Sequence, residues 1–347
     1  MTLAVAHDVP LAPLTTLGLG GPARRFVRVT SVDELREALA LADGAGERVF
    51  VLGGGSNLVV GDAGWPGLVI QLAIDGVAIR LHDGFAVVSA FAGVAWDAFV
   101  AQMVDAGLAG VECLSGIPGL VGATPIQNVG AYGQEVADTI VLVRVLDRET
   151  GEVTTLEPAA CRFAYRSSVF KGSTRWIVLE VQFRLARDTI SAVIQYPELS
   201  RALGLAAGGR APLAEVRRTV LALRGGKGMV IDPADPESRS AGSFFVNPVV
   251  DAVGLDALAA RLGPDVAFPR FAAPDGKTKL SAAWLIERAG FAKGYTVGRV
   301  GISAKHALAL VNRGGGTASE LLALAREIQD GVRARLGIAL EPEPVIV

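Results

Sequence analysis

Only two of the 347 residues are cysteine, Cys113 and Cys161, and only three are histidine, His7, His82 and His306. Two thiols cannot build a disulfide framework or a zinc site, and the histidines show no ligand spacing, so no metal centre is expected. Hydrophobic residues make up 51% of the chain, yet no run of 18 or more apolar residues occurs; the uncharged stretch 85–96 stops at Asp97. The N-terminus lacks a basic segment leading into an apolar core. The expectation is a cytoplasmic protein without membrane insertion. Charge of one sign is missing too: 33 Lys+Arg against 35 Asp+Glu leave a net charge of −2, which argues against nucleic acid as a partner. Neither an internal repeat nor a Rossmann-type Gly-x-Gly-x-x-Gly with a downstream acid is present.

In their place stand two glycine-rich loops. Residues 113–134, CLSGIPGLVGATPIQNVGAYGQ, hold five glycines, two prolines and no charge. Pro118 and Pro125 stiffen the path and remove two amide donors, while Gly116, Gly119, Gly122, Gly130 and Gly133 admit close backbone approach. Such a segment suits N–H groups turned toward an anion, and by itself it is equally a tightly packed core loop. A second stretch changes the balance. The short apolar run 49–52 leads straight into Gly53, Gly54 and Gly55, with Ser56 and Asn57 behind them. Two anion-suited loops in one chain point to a dinucleotide with a pyrophosphate.

A chain of this length allows two or three domains. Residues 1–12 read as an untethered start. Ser31 and Glu34 form a capping box that opens a helix over 32–42, with Leu35, Ala38, Leu39 and Ala42 on one face and Gly44 as its stop. Strands are expected at 49–52, 68–72, 77–81 and 85–91, then a helix over about 95–106 closed by Gly107. Strands 140–146 and 153–156 flank a hairpin turn ending at Gly151, and 175–185 alternates as a further strand. Pro212 marks the start of a helix over 212–224, and the Gly-, Pro- and Asp-rich stretch 225–239 reads as an active-site loop or a linker. Beyond residue 240 the pattern predicts a helix over 280–289 and a strand at 307–311. A last helix over 318–336 carries Leu321, Leu324, Ala325, Ile328, Val332 and Leu336 on one face, with Thr317 and Glu320 as its capping box. Gly337 stops it, and 338–347 is expected to return as a final strand.

From about Thr16 to Val345, separated motifs in this order resemble the UDP-N-acetylenolpyruvoylglucosamine reductase family, flavoproteins of peptidoglycan precursor synthesis. They are 53–57; Gly116 to Gly119, Pro125 to Asn128 and Gly130 to Gly133; Phe163 to Ser168; Ala241 to Phe245 with Asn247 and Pro248; Lys279 to Ile286; and Leu340 to Glu343. The resemblance implies an α+β protein. Its FAD-binding domain would be vanillyl-alcohol-oxidase-like (PCMH type), made of two α/β subdomains over 1–66 and 67–228. A smaller α+β substrate-binding domain would span 229–336, with the C-terminal strand 337–347 returning to 67–228. Tyr196 and Pro197 resemble the type I subclass, in which a tyrosine loop closes over the substrate.

The resemblance also implies the site. FAD would lie against Gly53, Gly54, Gly55, Ser56, Asn57 and Leu58 of one loop. From the other it would meet Gly116, Ile117, Pro118, Gly119, Gly122, Ala123, Gln127, Asn128, Gly130, Ala131 and Tyr132. Attachment is expected to be non-covalent, since no His or Cys falls inside 53–57 and Cys113 stands only at the edge of the other loop. NADPH would be the co-substrate. Three residues would be catalytic. Arg166 can clamp a carboxylate and hold charge developing on it. Ser243 would donate a proton to carbon, which a weakly acidic hydroxyl does only beside a polarising neighbour. Glu343 would work with Arg166, leaving Glu341 structural. Tyr165, Tyr196, Arg224, Lys227, Asn247 and Lys279 are the candidates for the UDP-sugar, because a diphosphate needs cations and donors. A monomer is expected. Each residue also has a bland reading: Arg166 as a structural ion-pair partner, Ser243 as a turn residue, the glutamates as a solvated tail. Two other functions share part of the pattern. A PCMH-type flavin oxidase of a small alcohol would keep the loops without the 241–245 and 340–343 motifs, and an inactive nucleotide-binding module could lose Arg166, Ser243 or Glu343.

Overall fold

The computed structural model describes residues 3–347, and contacts divide the chain into two compact units. The first comprises Met1–Val9, Ala23–Gly55 and Pro66–Gly226; the second comprises Pro10–Pro22, Ser56–Trp65 and Lys227–Val347.

The first unit is built on two larger sheets. Strands Ala6–Pro10, Pro22–Val29, Trp65–Leu72 and Val49–Leu52 lie side by side in that order. The strand Ala6–Pro10 ties down most of the supposed loose start, while Met1 and Thr2 lie outside the described residues. Helix Val32–Gly44 covers this sheet, starting where Ser31 accepts from Glu34 N and burying Leu35, Ala38, Leu39 and Ala42 as its spacing predicts. The second sheet is built on the long strand Trp176–Arg187. It pairs antiparallel with Ile140–Asp147 on one side and Phe85–Phe91 on the other, and Val153–Leu156 and Val77–Leu81 extend the sheet outward. Trp96 and Phe99 of helix Trp96–Asp105 pack on Phe183 of the central strand, with ring centroids 6.0 and 5.0 Å away. Burial of such aromatics is a major part of core stabilisation.

The second unit is organised on helix Ala318–Leu336. Its capping box of Thr317 and Glu320 is formed in both directions, its six predicted apolar residues are buried, and Gly337 ends it in the left-handed conformation. Strands Ser240–Ser243, Ala309–Asn312, Val300–Ile302 and Thr296–Val297 form one sheet in that order; Val249–Val250, Thr278–Leu280 and Arg270–Ala272 form another.

The sequence reading puts Pro10–Pro22 and Ser56–Trp65 inside a first flavin subdomain over 1–66, yet both segments pack with the second unit. Leu17, Leu19 and Val59 lie in its core, Asn312 Nδ2 donates to Leu17 O at 2.9 Å, and Asp62 caps the long helix by accepting from Ala318 N at 2.7 Å and Ser319 N at 3.0 Å.

Several predicted elements differ in extent, three of them for a local reason. The helix expected over 280–289 is Ala282–Arg288, because Ser281 caps it and strand Thr278–Leu280 precedes it. The strand expected at 307–311 is Ala309–Asn312, because Ala307 and Leu308 lie in a turn closed by Ala309 N on His306 O at 3.1 Å. The final strand shrinks from 338–347 to Val345–Ile346, and it pairs parallel with Leu58–Val59 instead of returning to 67–228 as expected. Pro342 and Pro344 each lack the N–H that a continuous ladder requires.

Candidate functional site

In the first unit the two glycine-rich loops are brought together. A Cβ on Gly54 would sit 2.8 Å from Gly119 Cα, and one on Gly53 would meet the Ala123 side chain at 3.9 Å. Backbone therefore lies against backbone where the loops cross, and any side chain at Gly54 would push them apart. Gly122 packs as closely on Ala92, and Gly116 N donates to Asp97 Oδ1 at 2.6 Å. The meeting region of the two loops is thus uncharged, short of side chains and rich in backbone dipoles, which suits a pyrophosphate-bearing group.

The loop ends in a small hairpin. Gly130–Ala131 pairs with Gln134–Glu135, and Tyr132 and Gly133 form its two-residue turn with φ of 50° and 86°. Both turn residues need positive φ in a hairpin of this kind, which is why one of them is glycine. Asn128, almost fully buried at 1% exposure, also has positive φ (45°). Its Nδ2 donates to Glu135 Oε2 at 2.7 Å and to Ala164 O at 3.3 Å, and its Oδ1 accepts from Ala137 N at 3.1 Å.

Arg166 stands on a tight turn moored to this loop. Ala164 and Ser167 exchange backbone hydrogen bonds of 3.0 and 3.1 Å around Tyr165 and Arg166, and Ser168 Oγ donates to Ile126 O at 2.7 Å. The Arg166 guanidinium donates to Gly130 O at 2.7 Å and Asn128 O at 3.3 Å. Arg166 itself has φ of 52°, one of six non-glycine residues with positive φ among those described, and three of the six (Asn128, Tyr132, Arg166) belong to this cluster. Strain of about 1–3 kcal/mol per residue persists where surroundings over-determine it, and that is commonest at functional sites.

A second cluster flanks the hairpin. Asp97 receives both terminal nitrogens of Arg217, at 2.6 and 2.9 Å. Burial pushes the Asp97 carboxyl up, but Arg217 and Gly116 N outweigh it and leave it below the usual range. Tyr132 and Tyr196 meet edge to face at 5.3 Å. Burial, only partly offset by Arg224, pushes the Tyr132 phenol up to about 12, so its hydroxyl remains a donor at neutral pH. Burial pushes the Arg224 guanidinium down, against the pull of Tyr132 and Asp97.

In the second unit, Ser243 ends strand Ser240–Ser243 and pairs with Ala309. Phe244 and Phe245 follow at 0% and 1% exposure and anchor the strand in the core. The C-terminal segment runs alongside: Glu343 N donates to Phe244 O at 2.9 Å, and Val246 N to Glu341 O at 3.0 Å. Ser243 and Glu343, widely separated in sequence, are therefore held on adjacent segments; Glu343 is half-buried and Glu341 exposed. Asn57 joins this segment, donating from Nδ2 to Glu343 O at 3.3 Å and accepting from Val345 N at 3.0 Å. Ser56 and Leu58 flank it, with Ser56 O accepting from Thr16 Oγ1 at 3.4 Å. Asn247 Oδ1 accepts from Ala282 N at 2.9 Å. Lys279 lies mid-sheet between Val249 and Phe271. Lys227 opens the stretch 227–239, which is clasped by Asp235 with Lys305 at 2.7 Å and by Glu237 with Arg313 at 2.5 Å.

The supporting residues Asp97, Glu112, Gln134, Glu135 and Arg217 escape sequence reasoning. One signal was available: Arg217 and Arg224 stand seven apart on helix Leu213–Gly226 and so share a face.

Comparison with known proteins supplies the family. Residues 233–347 match the model "UDP-N-acetylenolpyruvoylglucosamine reductase, C-terminal domain", and residues 23–157 match "FAD binding domain". The UDP-N-acetylenolpyruvoylglucosamine reductase of Thermobifida fusca is 54% identical, with 100% of this chain and 99% of that protein covered. The reductase of Saccharopolyspora erythraea is 53% identical over 97% and 94% of the two chains. The crystal structure of the Thermus caldophilus reductase superposes with a TM-score of 0.65 at 28% identity, covering 100% and 99%. The expected α+β fold with an FAD-binding domain agrees with these matches. No helix among the described residues is long and apolar enough to cross a membrane.

Proposed function

The chain belongs to the UDP-N-acetylenolpyruvoylglucosamine reductase family, and from that premise we propose that it reduces the enolpyruvyl group of UDP-N-acetylglucosamine enolpyruvate to give UDP-N-acetylmuramate, using NADPH, as a cytoplasmic monomer. FAD, held non-covalently, supplies the hydride relay from NADPH to the vinyl carbon. The chain's own residues supply position, charge and a proton. Residues 53–58 and 116–132 present the backbone that receives the cofactor. Ser243 gives its proton to the carbon adjacent to the one that accepts hydride. Arg166, oriented by two carbonyl oxygens, holds the enol-like charge that builds on the substrate carboxylate, and Glu343, on the segment beside Ser243, works with it on the intermediate. Lys227, Lys279, Arg224, Asn247, Tyr165 and Tyr196 serve the UDP-sugar, with cations for the diphosphate and hydroxyl donors beside them. In this reading 1–66 and 67–228 are the flavin subdomains and 229–336 the substrate domain.

The observation that carries the proposal is the pairing of Glu343 with the residue after Ser243. It holds Glu343 on the segment beside Ser243, and a proton donor to carbon belongs to reduction of an enolpyruvyl group, whereas oxidation of an alcohol needs a base instead. The test is an anaerobic absorbance experiment in two steps. NADPH should bleach the flavin band, and UDP-N-acetylglucosamine enolpyruvate, added after NADP⁺ is removed, should restore it fully. Bleaching reversed only by oxygen would identify an oxidase, and a protein that carries no flavin would end the proposal.

A further inference from the structure

Two polar side chains at the ends of the uncharged loop have no part in the chemistry above. Glu112 immediately precedes the loop and is fully buried, with 0% exposure; Gln134 is the loop's last residue. Glu112 Oε2 accepts from Gly110 N at 2.7 Å, and Oε1 accepts from Gln134 Nε2 at 3.0 Å. Gln134 Oε1 in turn accepts from Cys113 N at 2.9 Å. A carboxylate only accepts, so it obliges Gln134 to present its NH2 group, and the amide oxygen is thereby turned to Cys113. The first and last residues of the loop are joined directly by this Cys113–Gln134 bond, and the Glu112 carboxylate fixes the amide that makes it. Ser115 Oγ adds a bond of 2.6 Å to Glu112 O. A buried carboxylate stripped of its donors is strongly destabilising, so its position is tenable only while these bonds are made. On the opposite side of the same short strand, Glu135 ties the loop to Asn128.

We propose that Glu112 and Gln134 form a buried clasp that closes the ends of the loop and so sets how tightly FAD is retained. Both are positioning residues that act through the backbone of 113–134. The inference rests on the reading that this loop receives FAD.

Reciprocal exchange tests it. Glu112→Gln sets an amide nitrogen against the Gln134 amide nitrogen, and Gln134→Glu sets two carboxylates face to face. In the double variant the new amide at 112 keeps its oxygen for Gly110 N and gives its NH2 to the new carboxylate at 134, whose second oxygen accepts from Cys113 N. Every bond returns and the net charge is unchanged. Each single substitution should weaken FAD binding by about tenfold or more, followed by flavin fluorescence on dilution of the holoenzyme, and the double should recover to within about threefold of wild type. Amide exchange across 113–134 should quicken in the singles and slow again in the double. Wild-type affinity and exchange in both singles, or a double no better than the worse single, would overturn the clasp. If a single does not fold, a folded double supports the clasp and an unfolded double overturns it. A wild-type protein without FAD would overturn the flavin reading alone, and amide exchange would still decide the clasp.

Discussion

Arg166 and the flavin-loop candidates of the first unit are held in the opposite way to Ser243 and Glu343 of the second. In the first unit they stand on loops and turns: bare backbone at Gly54 and Gly119, and positive φ at Asn128, Tyr132 and Arg166, with Asn128 and Arg166 locked by side-chain-to-backbone hydrogen bonds. In the second unit they stand on paired extended segments, with Ser243 followed by two buried phenylalanines and Glu343 bonded to the first of them. Loops without side chains suit a large polar cofactor, which needs many backbone dipoles. A core-anchored strand suits a single hydroxyl whose direction must not vary. The difference teaches that one chain can assign binding to strain-locked loops and proton delivery to sheet.

Five measurements would break or sharpen that contrast. Ser243→Ala should slow reoxidation of reduced flavin by substrate by about 10²–10⁴-fold while NADPH reduces the flavin at its normal rate. Equal loss in both half-reactions would mean that Ser243 is structural. Phe245→Ala should destabilise the second unit by about 3–5 kcal/mol in denaturant unfolding, as expected of a fully buried aromatic; a small loss would deny the strand its core anchor. Arg166→Ala should remove about 2.7–4 kcal/mol of transition-state stabilisation, seen in single-turnover reduction of substrate, and near-normal turnover would sink that role. Gly54→Ala should introduce about 1–3 kcal/mol of overpacking strain, read as faster FAD release with unfolding of the second unit unchanged. The smallest effect is on pH dependence. Burial raises the Asp97 and Glu237 carboxyls, yet Arg217 and Gly116 N at one, and Ser303, Ala304 N and Arg313 at the other, leave both below their usual range. A depressed pKa gives stability that is present above the unfolded value and lost as pH falls through the folded one. Melting temperature should therefore drop below about pH 4, and Asp97→Asn should remove only the first unit's share of the slope.

How much of this was legible varies with how local the cause is. Helix Ala318–Leu336 was readable to its ends because Thr317, Glu320 and Gly337 are local signals. Strands Val77–Leu81, Phe85–Phe91 and Val153–Leu156 likewise follow from their own alternation and flanking turns. The three-stranded sheet around Lys279 was not readable, since strands of two or three residues have no measurable period. Helix Ala252–Leu262 escaped as well, although Asp251 caps it. The two glycine loops announced themselves by composition, but their crossing at Gly54 and Gly119 depends on packing between segments far apart in sequence. The same holds for Asp97 with Arg217 and for Glu112 with Gln134: isolated charged or amide residues whose partners only the fold selects.

Asn312 on Leu17 and Asp62 on Ala318 also bear on the order in which the chain can mature. Residues 10–22 and 56–65 leave the ribosome early, yet the core that receives Leu17, Leu19 and Val59 consists largely of residues from 241 onward. Through most of synthesis these apolar side chains have no destination. The first unit's sheets can form without them, but the second unit's folding must wait for residues made far later, and contacts of such long separation form slowly. The protein thus carries a built-in interval in which a nascent chain shows hydrophobic surface that a finished one conceals, the condition under which chaperones engage.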